Sequence, residues 1–423
     1  MGSKSFVDVE ALQALSMATL HMRPLLPNLE DLWWYYGHFT KEVEWSMLQC
    51  IYLFFAPKLT TLSIILHNTF DSACPPSILS GLINSCPALK DLTFYFQSSN
   101  SNELENQLGI SSVICQWNWL QSLTVNDLTQ EALEHLATIP SLQTLSLNSL
   151  KDQHLPIVTR TPTSGYPALQ NLSISCRTMD AVIAFSQLLS SSPIEDLDVH
   201  VVGLCYPRQW RELFSTISRH IYHPSLKELT LQEEGKALDP ETLYSDIGLE
   251  ALTVFTNLQV VDIQPTFGIQ LTSDTVNKLA DAWPKIRRLE LGNTYPSSRS
   301  PIINSEDLIP FAQRCPELLY LGIVFDAQNT QLSSSPGLFN NNLTTLSVAD
   351  SPINAPAIVS AFLSDIFPGI ESITFENDWR ELPHGDPEDA TETARMWEET
   401  ERLLETFAMV RLQERSRMET RCD

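Results

Sequence analysis

The chain repeats one hydrophobic pattern: an aliphatic residue, two variable residues, a second aliphatic residue, one variable residue and a third apolar residue. Clear copies begin at Pro140 (PSLQTLSL) and at Pro224 (PSLKELTL). Thirteen copies follow one another at a mean period of about 28 residues. Their first aliphatic positions, the first anchors, are Leu29, Leu59, Leu89, Leu120, Leu142, Leu169, Ile194, Leu226, Leu258, Ile286, Leu318, Leu343 and Ile370. Because side chains alternate along a strand, each copy predicts a short strand whose anchors point into a core.

A proline stands two residues before the first anchor in nine copies. These prolines are Pro27, Pro57, Pro87, Pro140, Pro167, Pro224, Pro284, Pro316 and Pro368. Proline has no backbone N–H and a fixed φ, and it restricts the residue before it. We therefore expect each proline to end the preceding helix and to favour an extended approach to the next strand.

Stretches with the helical spacing of apolar residues separate the strands. They span Ser77–Cys86, Thr129–Thr138, Asp180–Leu189, Arg208–Ile221, Ser273–Trp283, Glu306–Cys315 and Ala355–Phe367. Thr129, Asp180 and Ser273 are predicted N-caps of three of them, because their side-chain oxygens can accept an unpaired N–H of the first turn. Each repeat thus pairs one strand with one helical segment.

The period lies within the range of leucine-rich repeats. One repeat cannot fold alone, because burying three anchors contributes roughly 1.5 to 3 kcal/mol each and ordering each backbone residue costs about 1 to 2 kcal/mol. Stacked repeats would share one core. The sequence therefore predicts a right-handed α/β leucine-rich repeat solenoid, a horseshoe of the ribonuclease-inhibitor type. Its parallel sheet would line the concave face, and its helices would cover the convex face.

The pattern divides the chain into three parts. Residues 1–28 form an N-terminal helix or capping segment, residues 29–376 form the solenoid of about 13 repeats, and residues 377–423 form an acidic C-terminal helix or tail. The dipeptide Asp386-Pro387 marks the start of this helix. We expect the helix to cover the last repeat, with a partner-binding helix as the alternative.

Four polar segments interrupt the period. They are Gln97–Cys115, Lys151–Gly165, Asn293–Ser305 and Ala327–Asn342. Repeat proteins accept extra length at the edges of the solenoid, and such segments often bind partners. We expect loops at these positions, either disordered or involved in recognition.

Composition narrows the class of partner. The chain has 26 Lys and Arg against 51 Asp and Glu, a formal net charge of −25, which disfavours nucleic acid and anionic membranes. It has no apolar signal-peptide core near the N-terminus and no run of eighteen apolar residues. We expect a monomeric cytoplasmic or nuclear protein that binds a protein partner. We expect it to bind neither nucleic acid nor a membrane.

Motifs for catalysis, metals and cofactors were not found. The eight cysteines include no CxxC pair and no regular framework, so neither a zinc site nor a disulfide scaffold is indicated. There is no GxSxG elbow, phosphate-binding glycine loop, HExxH motif or GxGxxG motif. We expect no enzyme and no cofactor.

Charged residues cluster at positions predicted to face outward. Residues two, four and six positions after a first anchor point to the concave surface. In four consecutive repeats this rule displays Asp196, Asp198, His200, Glu228, Thr230, Asp262, Arg288 and Glu290. A solvated sheet accounts for any one polar residue. Clustering of the acids indicates a binding surface for a basic segment of a partner.

Aromatic residues form a second candidate surface in the first repeat. The sequence DLWWYY places Trp33 and Tyr35 outward and Trp34 inward. Large exposed aromatics are typical interface anchors. Packing against the N-terminal cap explains them equally well.

The phrases CPALKDL, CPELLYL and FPGIESITF, together with units of uneven length and a trailing acidic helix, resemble the leucine-rich repeat portion of fungal F-box proteins over about residues 20–385. In that family the repeats select substrates, and a separate F-box docks on a Skp-type adaptor of a cullin-RING ubiquitin ligase. The resemblance implies a substrate receptor. Residues 1–28 lack a Leu-Pro-x-Glu opening, so we expect this chain to lack its F-box and to bind the adaptor only if an F-box exists upstream. The alternative is a leucine-rich repeat scaffold that acts independently of ubiquitination.

Overall fold

The fold was determined from a computed structural model, which describes residues 9–18, 24–35, 48, 50–66, 76–96, 103–151, 165–235, 246–292, 300–332, 340, 342–375 and 387–422. The chain forms two compact units. The first contains Met1–Arg177 and Ala184–Ile194, and the second contains Thr178–Ile183 and Glu195–Asp423. Helix α5 (Met179–Ser186) contributes residues to both.

In the described part of the first unit, six strands pair in parallel in the order of the chain. The strands are β1 (Asp31–Tyr35), β2 (Thr61–Leu66), β3 (Asp91–Phe96), β4 (Ser122–Val125), β5 (Thr144–Leu150) and β6 (Asn171–Cys176). The helices whose bounds lie within the described residues are α1 (Val9–Ala18), α2 (Pro76–Ser85), α3 (Glu103–Ile114) and α4 (Gln130–Leu136), and Ile51–Phe54 forms a 3₁₀ helix. From β2 onward, a helical segment lies between most successive strands.

The described residues of the second unit form seven strands with the same parallel order. The strands are β7 (Asp196–Val201), β8 (Glu228–Glu233), β9 (Val260–Gln264), β10 (Arg288–Leu291), β11 (Tyr320–Ile323), β12 (Thr345–Ser347) and β13 (Ser372–Thr374). The helices are α6 (Pro207–His220), α7 (Ser273–Ala282), α8 (Ile309–Arg314), α9 (Pro356–Ile366) and α10 (Pro387–Cys422), with 3₁₀ helices at Leu249–Val254 and Ser305–Leu308. Among the described residues, no helix combines the length and apolar character needed to cross a membrane.

The predicted anchors form the core of each unit. Their second positions pair strand to strand, as in Leu197 with Leu229 and Leu229 with Val261. These three side chains are buried. The thirteen strands of the described residues lie at the predicted copies of the pattern, one strand per repeat. The predicted α/β leucine-rich repeat fold with a parallel sheet is therefore confirmed.

One backbone carbonyl per repeat fixes the register within each unit. The oxygen of Lys227, the residue after a first anchor, accepts the N–H of Gln259 at 2.7 Å and that of Val260 at 3.1 Å. Equivalent carbonyls in other repeats also accept two consecutive N–H groups of the next repeat. They belong to Glu30, Thr60, Lys90, Gln121, Gln143, Glu195, Gln259, Arg287, Leu319 and Thr344. This shared acceptor aligns each strand with the next.

The repeat prolines lie in turns, which corrects the predicted extended approach. The N–H of Leu59 donates to the carbonyl of Ala56 at 3.0 Å, so Pro57 is the second residue of a four-residue turn. The same bond closes the turns that lead to Leu89, Leu169 and Leu318. Proline suits this position because its fixed φ matches the turn and its missing N–H is not needed there.

Thr129 is confirmed as an N-cap: its hydroxyl accepts the N–H of Ala132 at 3.4 Å. Asp180 and Ser273 were also predicted to be N-caps, and both predictions are wrong because the helices begin earlier than expected. Helix α5 begins at Met179, which places Asp180 in its first turn. The cap of α7 is Thr272, whose hydroxyl accepts the N–H of Thr275 at 3.2 Å.

The first predicted loop, Gln97–Cys115, instead contains helix α3. Its apolar residues Ile110, Val113 and Ile114 have helical spacing and are buried, which outweighs the polar composition of the segment. Much of the other three predicted loops, at 152–164, 293–299, 333–339 and 341, lies outside the described residues.

The C-terminal helix α10 packs on α9 and on the edge of β13. Trp397 is fully buried, donates its indole N–H to the carbonyl of Ser351 at 2.9 Å, and meets the ring of Phe325 edge-on at 5.9 Å. The hydroxyl of Ser360 donates to the carbonyl of Thr400 at 3.0 Å. The N-terminal part of α10 therefore covers α9, the helix that precedes it in the second unit.

Leu229→Ala should lower the free energy of unfolding by about 2 to 5 kcal/mol, because it leaves a cavity at a fully buried anchor. Thr230→Ala is the matched control, since the next residue lies on the opposite face, and its effect should be about 1 kcal/mol or less. Urea unfolding followed by circular dichroism measures both. Equal effects would contradict the assignment of buried and displayed rows.

Candidate functional site

Strands β7 to β10 bring the predicted acidic residues together in register. Asp196 pairs with Glu228 across β7 and β8, and in the next outward row Asp198 pairs with Thr230, which pairs with Asp262 on β9. We call Asp196, Asp198, Glu228 and Asp262 the acidic strand face. Their side chains range from half-buried to exposed. Adjacent strands lie about 4.8 Å apart, so these carboxylates are close neighbours.

Asp196 shows the electrostatic cost of this arrangement. Partial burial raises the pKa of its carboxyl group, and the like charges of Glu228 and Asp198 raise that pKa further. In the part of the chain that the structure describes, neither Asp196 nor Glu228 lies within ion-pair distance of a cation. The face thus concentrates negative charge that the fold itself leaves uncompensated at these two positions.

Two glutamines hold Asp262 in place. Gln264 Nε2 donates to Asp262 Oδ1 at 2.8 Å, and Gln232 Nε2 donates to Asp262 Oδ2 at 3.1 Å. Neutral donors orient the carboxylate without cancelling its charge. Both glutamines lie six residues after a first anchor, a position that the repeat pattern predicts to face outward. They were not singled out from the sequence because they carry no charge.

Glu290 does not belong to the open surface, which corrects its predicted display. Only 8% of the residue is exposed. Arg288 Nη2 donates to Glu290 Oε1 at 2.6 Å, and Gln264 Nε2 donates to Glu290 Oε2 at 3.4 Å. The Arg288 guanidinium also lies over the ring of Tyr320, 4.1 Å from its centre. Glu290 is buried because Arg288, Gln264 and Tyr320 surround it.

His200 and Thr230 complete the predicted set. Thr230 lies between Asp198 and Asp262 in the middle row. His200 Nε2 is 3.4 Å from Glu234 Oε2, and both side chains are partly exposed. The pattern did not single out Glu234, because it follows the end of β8 and lies outside the alternation.

The neighbouring residue Glu233 has a structural role that the sequence did not reveal. It is 2% exposed, and it accepts the N–H of Cys205 at 2.7 Å and the hydroxyl of Thr266 at 3.1 Å. Burial raises the pKa of this carboxyl group, while these hydrogen bonds lower it. Glu233 therefore ties the segments that follow β7 and β9 to the end of β8.

Trp33 and Tyr35 lie in the first unit, apart in sequence from the acidic strand face. They are 73% and 61% exposed, whereas Trp34 is half-buried with its ring 5.7 Å from that of Phe54. The predicted orientation of the three rings is therefore correct. Their role in binding stays a prediction.

The described cysteines do not suggest chemistry. Cys50, Cys86, Cys115, Cys176, Cys205 and Cys315 are free thiols. Burial raises the pKa of Cys86 to about 11 and that of Cys315 to about 12, which disfavours the nucleophilic thiolate. Among the residues that the structure describes, no group of three or more His, Cys, Asp or Glu side chains could hold a metal ion.

Glu228→Gln should stabilise the protein at neutral pH. Because the pKa of Asp196 is raised in the folded state, its cost to folding is absent below the unfolded pKa of about 3.9 and grows as pH rises through the folded pKa. Removing the charge of Glu228 reduces this cost, by about 0.2 to 1 kcal/mol for like charges on adjacent strands. Urea unfolding at pH 7 should show the difference, and unfolding near pH 3 should not.

Glu317→Gln provides the control with the opposite sign. Glu317 Oε2 accepts from Arg287 Nε at 3.0 Å, so its neutralisation removes an attraction. We expect a small loss of stability at pH 7, within about 1 kcal/mol for an exposed pair. If both variants lose stability, the like-charge repulsion inferred at Asp196 is wrong.

Comparison with known proteins adds little to this picture. No protein-family model matches the chain, and no curated protein matches it. A chain of the crystal structure of the Rad7 and Elc1 complex in yeast is similar at 13% identity and a TM-score of 0.39, over 88% of this chain and 92% of that one. The leucine-rich repeat-containing protein LegL7 from Legionella pneumophila is similar at 11% identity and a TM-score of 0.37, over 80% of this chain and 98% of that one. At these values neither structure indicates what this chain binds.

Proposed function

We propose that this protein is a non-enzymatic protein-interaction receptor whose acidic strand face binds a basic segment of a partner. The observation that carries the proposal is the uncompensated charge at Asp196 and Glu228, in register with Asp198 and Asp262. Folding alone gains nothing from placing Glu228 and Asp198 where their charges raise the pKa of Asp196. A cationic partner would relieve their repulsion, so binding supplies the compensation that the fold does not.

The geometry supports a partner that lies across the strands. The outward side chains of paired strands align in rows that cross the sheet. These rows place carboxylates on three consecutive strands, β7, β8 and β9. Asp262 is already oriented by its two glutamines, so little side-chain entropy is lost when a cation binds it. Val202 and Tyr206, in the segment after β7, are about half exposed.

The net charge of −25 supports the same class of partner. A strongly negative protein attracts basic ligands over a distance and speeds their encounter, an effect that salt weakens. We therefore expect the affinity for a basic partner to fall as ionic strength rises.

The resemblance to fungal F-box proteins adds a finer proposal. In this version the bound partner is a substrate, and the protein presents it to a cullin-RING ubiquitin ligase through a Skp-type adaptor. A scaffold that uses the same face without ubiquitination is the alternative. Co-purification of the full-length transcript product with a Skp-type adaptor is the expected outcome for a ligase component. No association would contradict the ligase role and leave the scaffold.

Asp198→Lys combined with Asp262→Lys should weaken binding of a Lys- and Arg-rich synthetic peptide by about tenfold or more, because repulsion replaces attraction at the centre of the face. Fluorescence anisotropy with a labelled peptide measures the affinity, and an Asp- and Glu-rich peptide of equal length serves as the negative control. Thermal unfolding should change little, since both side chains are partly exposed.

Glu398→Lys combined with Glu405→Lys is the matched control. It makes the same change in net charge at two exposed positions of α10, away from the strand face. We expect a much smaller effect on affinity. An equal loss in both double variants would show that overall charge, and not this face, attracts the peptide.

A further inference from the structure

The acidic strand face ends at an arginine that belongs to the protein itself. Arg288 lies on β10, in the row that begins with Asp196 on β7. Its guanidinium pairs with Glu290 at 2.6 Å and stacks on Tyr320 at 4.1 Å. Its side chain is nevertheless 46% exposed, whereas that of Glu290 is 10% exposed. The cation therefore lies over a carboxylate that it shields from solvent.

The surroundings of the guanidinium have the features of an arginine-binding site. Glu290 supplies a carboxylate, and the Tyr320 ring supplies a flat surface for a planar cation. Burial of Tyr320, together with its hydrogen bond to Glu290, raises the pKa of its hydroxyl, so the ring stays neutral at physiological pH. Gln264 connects this site to the acidic strand face, because its Nε2 contacts both Asp262 and Glu290.

We propose that Arg288 occupies a guanidinium site on this surface, and that an arginine of the partner replaces it when the partner binds. This inference rests on the proposed function, since it assumes a basic partner on the adjacent face. The exchange swaps one charge-assisted hydrogen bond for another, so Glu290 is never left buried without a cation. Arg288 is then a specificity-determining residue that competes with the partner.

The site should favour arginine over lysine. A lysine ammonium could pair with Glu290, but it lacks the planar group that stacks on Tyr320 and the forked donors that match a carboxylate. In the part of the chain that the structure describes, the ring that stacks on a guanidinium beside this face is Tyr320, next to Glu290. Arginine selectivity would therefore come from the Glu290 and Tyr320 site.

The test compares two synthetic peptides of equal length, one with arginines and one with lysines at the same positions. Arg288→Gln should strengthen binding of the arginine peptide by about tenfold, the scale of one charge-assisted hydrogen bond, because the competitor is gone. The lysine peptide should change by only about twofold, the scale of one exposed charge. Adding Glu290→Gln to Arg288→Gln should abolish the selective increase.

Arg287→Gln is the matched control. Arg287 is the preceding residue, pairs with Glu317 at 3.0 Å, and is 57% exposed, so its removal also leaves a glutamate without its arginine. If this control strengthens arginine binding as much as Arg288→Gln does, or if the two peptides respond equally, the exchange proposal is overturned. If the unaltered protein prefers neither basic peptide to the acidic one, the proposed function itself fails.

Arg288→Lys covers the case in which Arg288→Gln does not fold. It keeps a cation beside Glu290 and the net charge of the protein, but it removes the planar group. We expect a smaller increase in affinity for the arginine peptide and none for the lysine peptide. No selective increase in a folded Arg288→Lys protein would contradict the proposal.

Discussion

Within each unit, the structure depends on the backbone carbonyl that a repeat presents to two N–H groups of the next repeat. A parallel strand pair leaves register open unless something fixes it, and a slip of one residue would turn every anchor toward solvent. At Lys227 the shared acceptor binds the residues just after the next first anchor, Gln259 and Val260. Within each unit the anchors therefore stack into a core, and the residues between them align into rows. The acidic strand face is one result of this alignment.

Much of the fold could be predicted because the sequence repeats the same pattern of buried anchor positions thirteen times. A copy that departs from the leucine pattern, such as the one whose first anchor is Ile194, does not obscure the other copies. The helix in Gln97–Cys115 was missed because it falls between copies and is rich in Ser, Asn and Gln. Its buried residues Ile110, Val113 and Ile114 were the available signal. The exact caps were missed because several hydroxyl or carboxylate residues stand next to each helix start.

The candidate site was predictable in composition but only partly in geometry. Alternation along β7 to β9 correctly grouped Asp196, Asp198 and Asp262 on one face. Alternation cannot say how far a neighbouring side chain reaches across that face. By the same alternation Glu290 is an outward position. It is nevertheless buried, because Arg288 and Tyr320 extend over it from the adjacent row. Side-chain reach and stacking depend on the packed structure, and no single repeat encodes them.

The fixed register also has a consequence for changes in chain length. Insertion of one residue inside a strand would exchange its buried and displayed positions beyond that point, whereas insertion of two would restore them. Added residues in a connecting segment change neither set, because the carbonyl of Lys227 and its counterparts reset the alignment at the start of each strand. Repeat lengths here already vary, from 22 residues between Leu120 and Leu142 to 32 between Leu226 and Leu258. The connections can therefore diverge in length while the displayed rows stay in place.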